Sequence, residues 1–119
     1  MKYKVFCHGF LRNKNRILYL KRGKDKIYPC KWDLPGGFCE PNETFKNCIV
    51  REFKEETNLD ISVIDLIDLK CQIYNDEIII VLLFVVKLKS KRKINLNFEH
   101  TDYEYLDCLS GKDVIWYLK

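Results

Sequence analysis

Gly37 to Leu59 reads GFCEPNETFKNCIVREFKEETNL. Pro41-Asn42 marks a turn, and the apolar spacing after Glu43 predicts a helix from about Thr44 to Thr57. At about 100° per residue, Phe45, Cys48, Ile49 and Phe53 share one side of that helix. Glu52, Glu55 and Glu56 stand at i, i+3 and i+4 and fall on the same side, one or two turns further on. The polar side is formed by Lys46, Asn47, Arg51, Lys54 and Thr57, with Val50 as its exception. The apolar stripe therefore runs into a carboxylate cluster at the edge of the core. Like charges at i, i+4 oppose helix formation by roughly 0.2–0.5 kcal/mol per pair, and partial burial adds to that cost. A hard divalent cation with oxygen ligands relieves both, and Mg²⁺ suits a few carboxylates combined with substrate phosphates.

A bare run of glutamates more commonly makes a solvated helix face. The upstream residues argue otherwise. Gly37 precedes Glu43 by six positions, and Glu43 precedes Arg51 by eight. Arg51 stands four residues before Glu55 and within reach of Glu43, which suits a structural ion pair better than a phosphate ligand. Gly37, Glu43, Arg51, Glu52, Phe53, Glu55, Glu56 and Leu59 together resemble the Nudix box. That pattern is Gly, five residues, Glu, seven residues, Arg-Glu, an apolar residue, any residue, Glu-Glu, any residue, Gly and an apolar residue. Asn58 replaces the last glycine, and Asn42 stands where a Pro-Gly-Glu turn is common. Asn tolerates left-handed backbone best after Gly, so both departures suit the geometry. The resemblance implies metal ligation by Glu52, Glu55 and Glu56, with the Gly37 carbonyl as a further ligand. It also implies a bracing role for Glu43 and Arg51.

Around the box the chain reads as one domain, residues 1–119, with 47% hydrophobic and 32% charged residues. Tyr3 to Leu11 and Ile17 to Lys21 are strand-like, separated by the turn Asn13-Lys14-Asn15. Trp32-Asp33-Leu34 leads into Pro35-Gly36-Gly37. Ile61 to Lys70 and Gln72 to Tyr74 are strand-like, and Ile78 to Leu88 reads as a central strand buried on both faces. Ser110 with Asp113 predicts a capped last helix, Lys112 to Leu118. The expected class is α+β, a mixed sheet flanked by helices, which agrees with the α/β/α sandwich of the Nudix fold.

Six cysteines, at 7, 30, 39, 48, 71 and 108, contain no CxxC pair, which argues against a zinc ribbon; most are expected at core or strand positions. The N-terminus lacks a long apolar segment, and the run Ile78 to Val86 is too short to span a bilayer as a helix. A cytoplasmic protein without membrane contact, monomer or homodimer, is expected. The formal charge of +4 comes largely from the loops 21-KRGKDK-26 and 87-KLKSKRK-93 and suits polyanionic substrates. No aromatic-interleaved nucleic-acid motif accompanies these charges, so nucleic acid is not expected as a partner beyond an RNA 5′ end.

The segment Leu96 to Tyr105 resembles a loop of many Nudix enzymes, in which a glutamate precedes an acidic-aromatic pair. Glu99 matches that glutamate and Glu104-Tyr105 the pair. The resemblance implies that Glu99 is a metal ligand or the base that activates water. A solvated loop glutamate is the lesser alternative, kept because the loop motif is short. Glu104 and His100 are secondary candidates, and a hydrogen-bonding loop role is expected of His100. The implied mechanism is hydrolysis of a phosphoanhydride with Mg²⁺, or Mn²⁺ in its place. Glu56 or Glu99 takes the proton, Glu55 contributes to the catalytic set, and Arg22 is a candidate phosphate contact. The expected substrates are nucleoside triphosphates, as for MutT-like pyrophosphohydrolases that release a monophosphate and pyrophosphate. Another nucleoside diphosphate derivative, the 5′ end of RNA, and a non-catalytic binding module are the alternatives. Phe6, Tyr28, Tyr74 and Tyr105 are candidates for stacking a base, although core or scaffold positions suit each of them better. No long terminal helix to read a base is expected after Trp116.

Overall fold

The structure, a computed structural model, describes residues 2–119. Its elements are β1 (Lys2–Asn13), β2 (Arg16–Arg22), β3 (Trp32–Asp33), β4 (Gly36–Phe38), α1 (Phe45–Thr57), β5 (Ile61–Tyr74), β6 (Glu77–Leu88), β7 (His100–Leu106) and a 3₁₀ turn, Trp116–Leu118. β1 organises the sheet. It runs parallel to β6 from Lys2 to Leu11 and antiparallel to β4 at Phe6 to His8, and its far end turns into β2. β2 carries β3 and β7, and β5 closes the opposite edge against β6. The sheet is mixed, in the order β3-β2-β1-β6-β5.

The two-residue period of these strands builds two cores. Cys7, Leu11, Leu18, Leu20, Leu82, Phe84 and Val86 face Cys48, Ile49 and Phe53 of α1. Tyr19, Val81 and Leu83 face the other way, onto Trp32, Leu34, Ile115 and Tyr117. Each fully buried Leu, Ile or Phe contributes about 1.5–3 kcal/mol. Along β6 the buried residues Val81 to Phe84 alternate between the two cores, as expected of a strand covered on both faces. Gly9 leaves room for α1: a β-carbon there would stand 2.9 Å from the Phe53 ring.

Several local expectations change. The two strand segments after α1 are one strand, because irregularities between Val63 and Asp65 and between Leu66 and Asp68 shift the register without breaking the ladder. The last helix does not form. Instead, Trp32 N donates to the Asp113 carbonyl at 2.8 Å and Ile115 N to the Trp32 carbonyl at 3.0 Å, so residues 113–115 lie extended along β3. Asp113 pairs with Lys31 at 2.7 Å rather than capping, and Gly111 at φ 78 breaks the path before it. The second helical layer is thus a single 3₁₀ turn. On α1, Phe45 lies exposed, whereas Thr57 is fully buried because its hydroxyl donates to the Phe53 carbonyl at 2.6 Å. Among the described residues no helix is long and apolar enough to cross a membrane.

Candidate active site

Thr44 caps α1, accepting from Asn47 N at 3.1 Å, and Asn58 closes it at φ 68. Asn42 also adopts positive φ, 65°, in the turn before the helix. These ends set the phase of α1, which then presents its carboxylates unequally. Glu56 is fully buried, Glu52 nearly so, and Glu55 is exposed. Gly36, at φ +147, turns its N–H toward α1 and donates to Glu56 Oε1 at 2.8 Å. The next residue, Gly37, lies flat against Glu52, and a β-carbon there would stand 2.6 Å from Glu52 Oε2.

Arg51 holds the loop to the helix. Its guanidinium donates to Glu43 at 2.6 and 2.9 Å, to Glu52 at 2.8 Å, to Glu55 at 3.2 Å and to the Phe38 carbonyl at 3.0 Å. Beside it, the Glu43 carboxyl is held down to about 2, and Arg51 is itself pushed up. Glu99 arrives from the other side. Asn95 N donates to the Thr57 carbonyl at 2.9 Å and Asn97 N to the Glu56 carbonyl at 3.3 Å, which docks the loop on the last turn of α1. Glu99 pairs with Lys26 at 3.7 Å and is near enough to raise both Glu52 and Glu56 by charge repulsion. Burial is the larger cause for each, and Glu56 is raised well above the ordinary carboxyl range. The structure therefore sets Glu52 and Glu56 against the Gly36-Gly37 loop, with Glu99 near enough for its charge to act on both and Glu55 exposed.

This donor set fits a hard divalent cation. It is made only of oxygen, and Glu56 has one hydrogen-bond donor against the repulsion of Glu52, Asp33 and Glu99. Gly37 lets the loop backbone approach the Glu52 carboxylate, where a side chain would intrude.

A cavity of about 280 Å³ lies across the sheet from α1, lined among others by Phe6, His8, Arg22, Tyr28, Asp33 and Trp116. Its floor is a buried polar network absent from the sequence expectations. His8 Nδ1 lies 2.8 Å from the Leu34 carbonyl, which only accepts, so Nδ1 carries the proton. Asp33, fully buried and raised by that burial, accepts from Arg22 at 3.1 Å and from the Tyr117 hydroxyl. Arg22 also donates to the Ile27 carbonyl at 2.8 Å, so it is a braced wall residue and not a loose loop arginine. Phe6, Tyr28 and Tyr74 line the cavity rather than serving only as core, whereas Tyr105 packs with the core under α1. His100 is buried with Nδ1 unpartnered, and burial lowers it to about 4, so the hydrogen-bonding loop role expected of it is not seen. Glu104 pairs at the surface with Lys112 at 3.6 Å. The Asp33 network had one sequence signal, an acidic residue between Trp32 and Leu34 just before the Gly-Gly loop.

Residues 2–111 match the NUDIX domain family. An ADP-ribose pyrophosphatase of Methanocaldococcus jannaschii is 41% identical over 64 residues, which is 49% of this chain and 37% of that relative's length. The Escherichia coli nucleoside triphosphatase NudI is 24% identical over 117 residues, covering 89% of this chain and 83% of that one. The crystal structure of a MutT protein from Methanosarcina mazei superposes with a TM-score of 0.86 at 24% identity, over 98% of this chain and 88% of that one. That likeness bears on the fold, and the family match bears on the chemistry. Nudix hydrolases generally need a divalent metal ion, and the oxygen donors gathered on α1 are suited to one. The chain belongs to the Nudix family, hydrolases acting on nucleotide phosphoanhydride bonds.

Proposed function

We propose that this chain is a Mg²⁺-dependent pyrophosphohydrolase of nucleoside triphosphates, releasing the monophosphate and pyrophosphate. The observation that carries the reading is the buried Glu52–Glu56 cluster on α1, supported by a small aromatic cavity on the other face of the sheet whose wall residue Asp33 is near enough for its charge to act on Glu56. At about 280 Å³ the cavity falls just below the roughly 300–1,000 Å³ of drug-sized ligand sites, so it suits a base and sugar with the phosphates outside.

Glu52, Glu55, Glu56, Glu99 and the Gly37 carbonyl would hold the cation. When bound, it neutralises diphosphate oxygens and lowers the pKa of water. The chain's own residues do the rest. Tyr28, Tyr74 and Trp116 clamp the base, and Arg22 presents positive charge at the cavity wall. Arg51 and Glu43 fix the loop so that the glutamates need not reorganise. Glu56, placed by Gly36 N–H, or Glu99, placed by the docked 95–97 segment, accepts the proton of the attacking water.

A second reading is hydrolysis of a linked nucleoside diphosphate such as ADP-ribose, supported by the 41% local identity to an ADP-ribose pyrophosphatase. The test is Mg²⁺-dependent turnover of NTPs, dNTPs, 8-oxo-dGTP, ADP-ribose, dinucleotides and triphosphorylated RNA, with products resolved. Pyrophosphate from triphosphates, abolished by EDTA, is the expected result. Turnover confined to ADP-ribose, yielding two monophosphates, overturns the first reading in favour of the second.

A further inference from the structure

Cys39, just after β4, and Cys48 on α1 stand nine residues apart, Cys7 on β1 is distant from both, and no ligand-like spacing marks the three. The fold brings them together. Their three sulfur atoms all lie within 4.8 Å of one another. Cys7 and Cys48 are fully buried, and Cys39 is partly exposed and gives the cluster its opening to solvent. The strand period separates this cluster from the substrate cavity: Cys7 faces α1, and its neighbour His8 faces the cavity. It abuts the carboxylates without including them: Cys48 lies one turn before Glu52 on the same side of α1, and its Sγ faces the Gly37 carbonyl.

The surroundings give the sulfurs little else to bind. Cys48 Sγ donates to the Gly37 carbonyl at 3.7 Å and Cys39 Sγ to the Glu43 carbonyl at 3.6 Å, both long and weak. Three thiolates around one ion at a metal–sulfur distance of about 2.3 Å stand about 4 Å apart, so the existing triangle closes with small side-chain rotations. Sulfur ligands of this kind select soft cations over Mg²⁺.

We propose that Cys7, Cys39 and Cys48 form a second metal site, specific for a thiophilic cation, Zn²⁺ or monovalent copper. Each sulfur that ligates gives its proton to solvent, and no electron transfer is involved. Monovalent copper is satisfied by three sulfurs, whereas Zn²⁺ takes a fourth donor, for which water has access past Cys39. Occupation ties β1, the active-site loop and α1 to one atom. It also withdraws the Cys48 S–H from the Gly37 carbonyl, so it bears on the loop without belonging to the catalytic set.

The test uses the full chain with the exposed Cys30, Cys71 and Cys108 changed to Ser, in excess Mg²⁺ to occupy the carboxylates. Zn²⁺ alone and monovalent copper alone are titrated anaerobically against a chromophoric chelator, with thiolate-to-copper absorbance and Tm as second readouts. One equivalent of one cation, with a rise in Tm, is expected, and the arm that binds identifies the ion. Adding Cys39→Ser should weaken binding at least about 100-fold. Should that variant misfold, protection of Cys39 from maleimide by one equivalent of cation gives the same answer. The proposal is overturned if neither cation binds stoichiometrically, or if Cys39→Ser binds as tightly and Cys39 stays unprotected.

Discussion

The carboxylate of Glu52 lies against the α-carbon of Gly37, and a β-carbon at residue 37 would meet Oε2 at 2.6 Å and Oε1 at 2.9 Å. Gly37 is not required here for a left-handed backbone; it is required for space. Gly37→Ala leaves the fold intact because the obstacle is the end of a side chain. It displaces Glu52 from its place beside the loop backbone, against the pull of Arg51. Misplacement by about 1 Å costs on the order of 100-fold in rate. The expected outcome is a loss of that size in kcat/KM with Tm almost unchanged, read by pyrophosphate release and thermal melting of the same preparation.

Glu56 carries the opposite trade. Its carboxyl titrates well above the ordinary range when folded, chiefly through burial and then through Glu52, Asp33 and Glu99. The native chain therefore binds this proton more tightly than the unfolded chain, and stability is lost as pH rises from the ordinary carboxyl range through the folded value. Without metal at neutral pH that cost is present. Glu56→Gln removes the charge and keeps an oxygen for Gly36 N–H. The metal-free variant should be more stable by about 1–3 kcal/mol and less active by at least about 100-fold. Equal or lower stability of the metal-free variant would show that the buried charge is not strained.

The box was legible because its chemistry is local: helix period, capping residues and carboxylates three and four apart all fall within 23 residues. Asn42 and Asn58 were legible for the same reason, since each answers to one backbone conformation. What failed was decided by distant chain. The extended 113–115 segment follows from pairing with Trp32, which overrides a helix signal at Ser110. Asp33 draws on Arg22, His8 and Tyr117, the last of them 84 residues away, and no spacing rule reaches that far. The thiol cluster was hidden likewise, because Cys39 and Cys48 hold no fixed place in the box pattern and Cys7 reaches them only through the pairing of β1 with β4.

Arg51 serves Glu43, Glu52, Glu55 and the Phe38 carbonyl at once, so Lys in its place keeps the charge but not the fork. Glu43, held to about 2 against an ordinary 4.5, binds its proton less readily in the native chain than in the unfolded one. Stability from this pair is complete above pH 4.5 and is lost as pH falls toward 2. Glu43→Gln should cost about 2 kcal/mol at neutral pH and flatten the acid slope in that window, measured by denaturant unfolding from pH 7 down to 3. An unchanged slope would place the acid sensitivity elsewhere.

Trp116, on the 3₁₀ turn that replaced the expected helix, faces the cavity together with Tyr28 and Tyr74, whose rings stand 6.4 Å apart. Stacking of a base on an aromatic ring contributes about 1–3 kcal/mol. The phosphates lie outside this cavity in the proposed mode, so the loss should fall on binding and spare the chemical step. Trp116→Ala and Tyr74→Ala should each raise KM for the preferred nucleotide by roughly 5- to 150-fold with kcat nearly unchanged. Tyr105→Ala should leave KM alone and lower Tm, because that ring packs in the core under α1. Unchanged KM in both cavity variants would mean that the base binds elsewhere and that this cavity is not the nucleoside site.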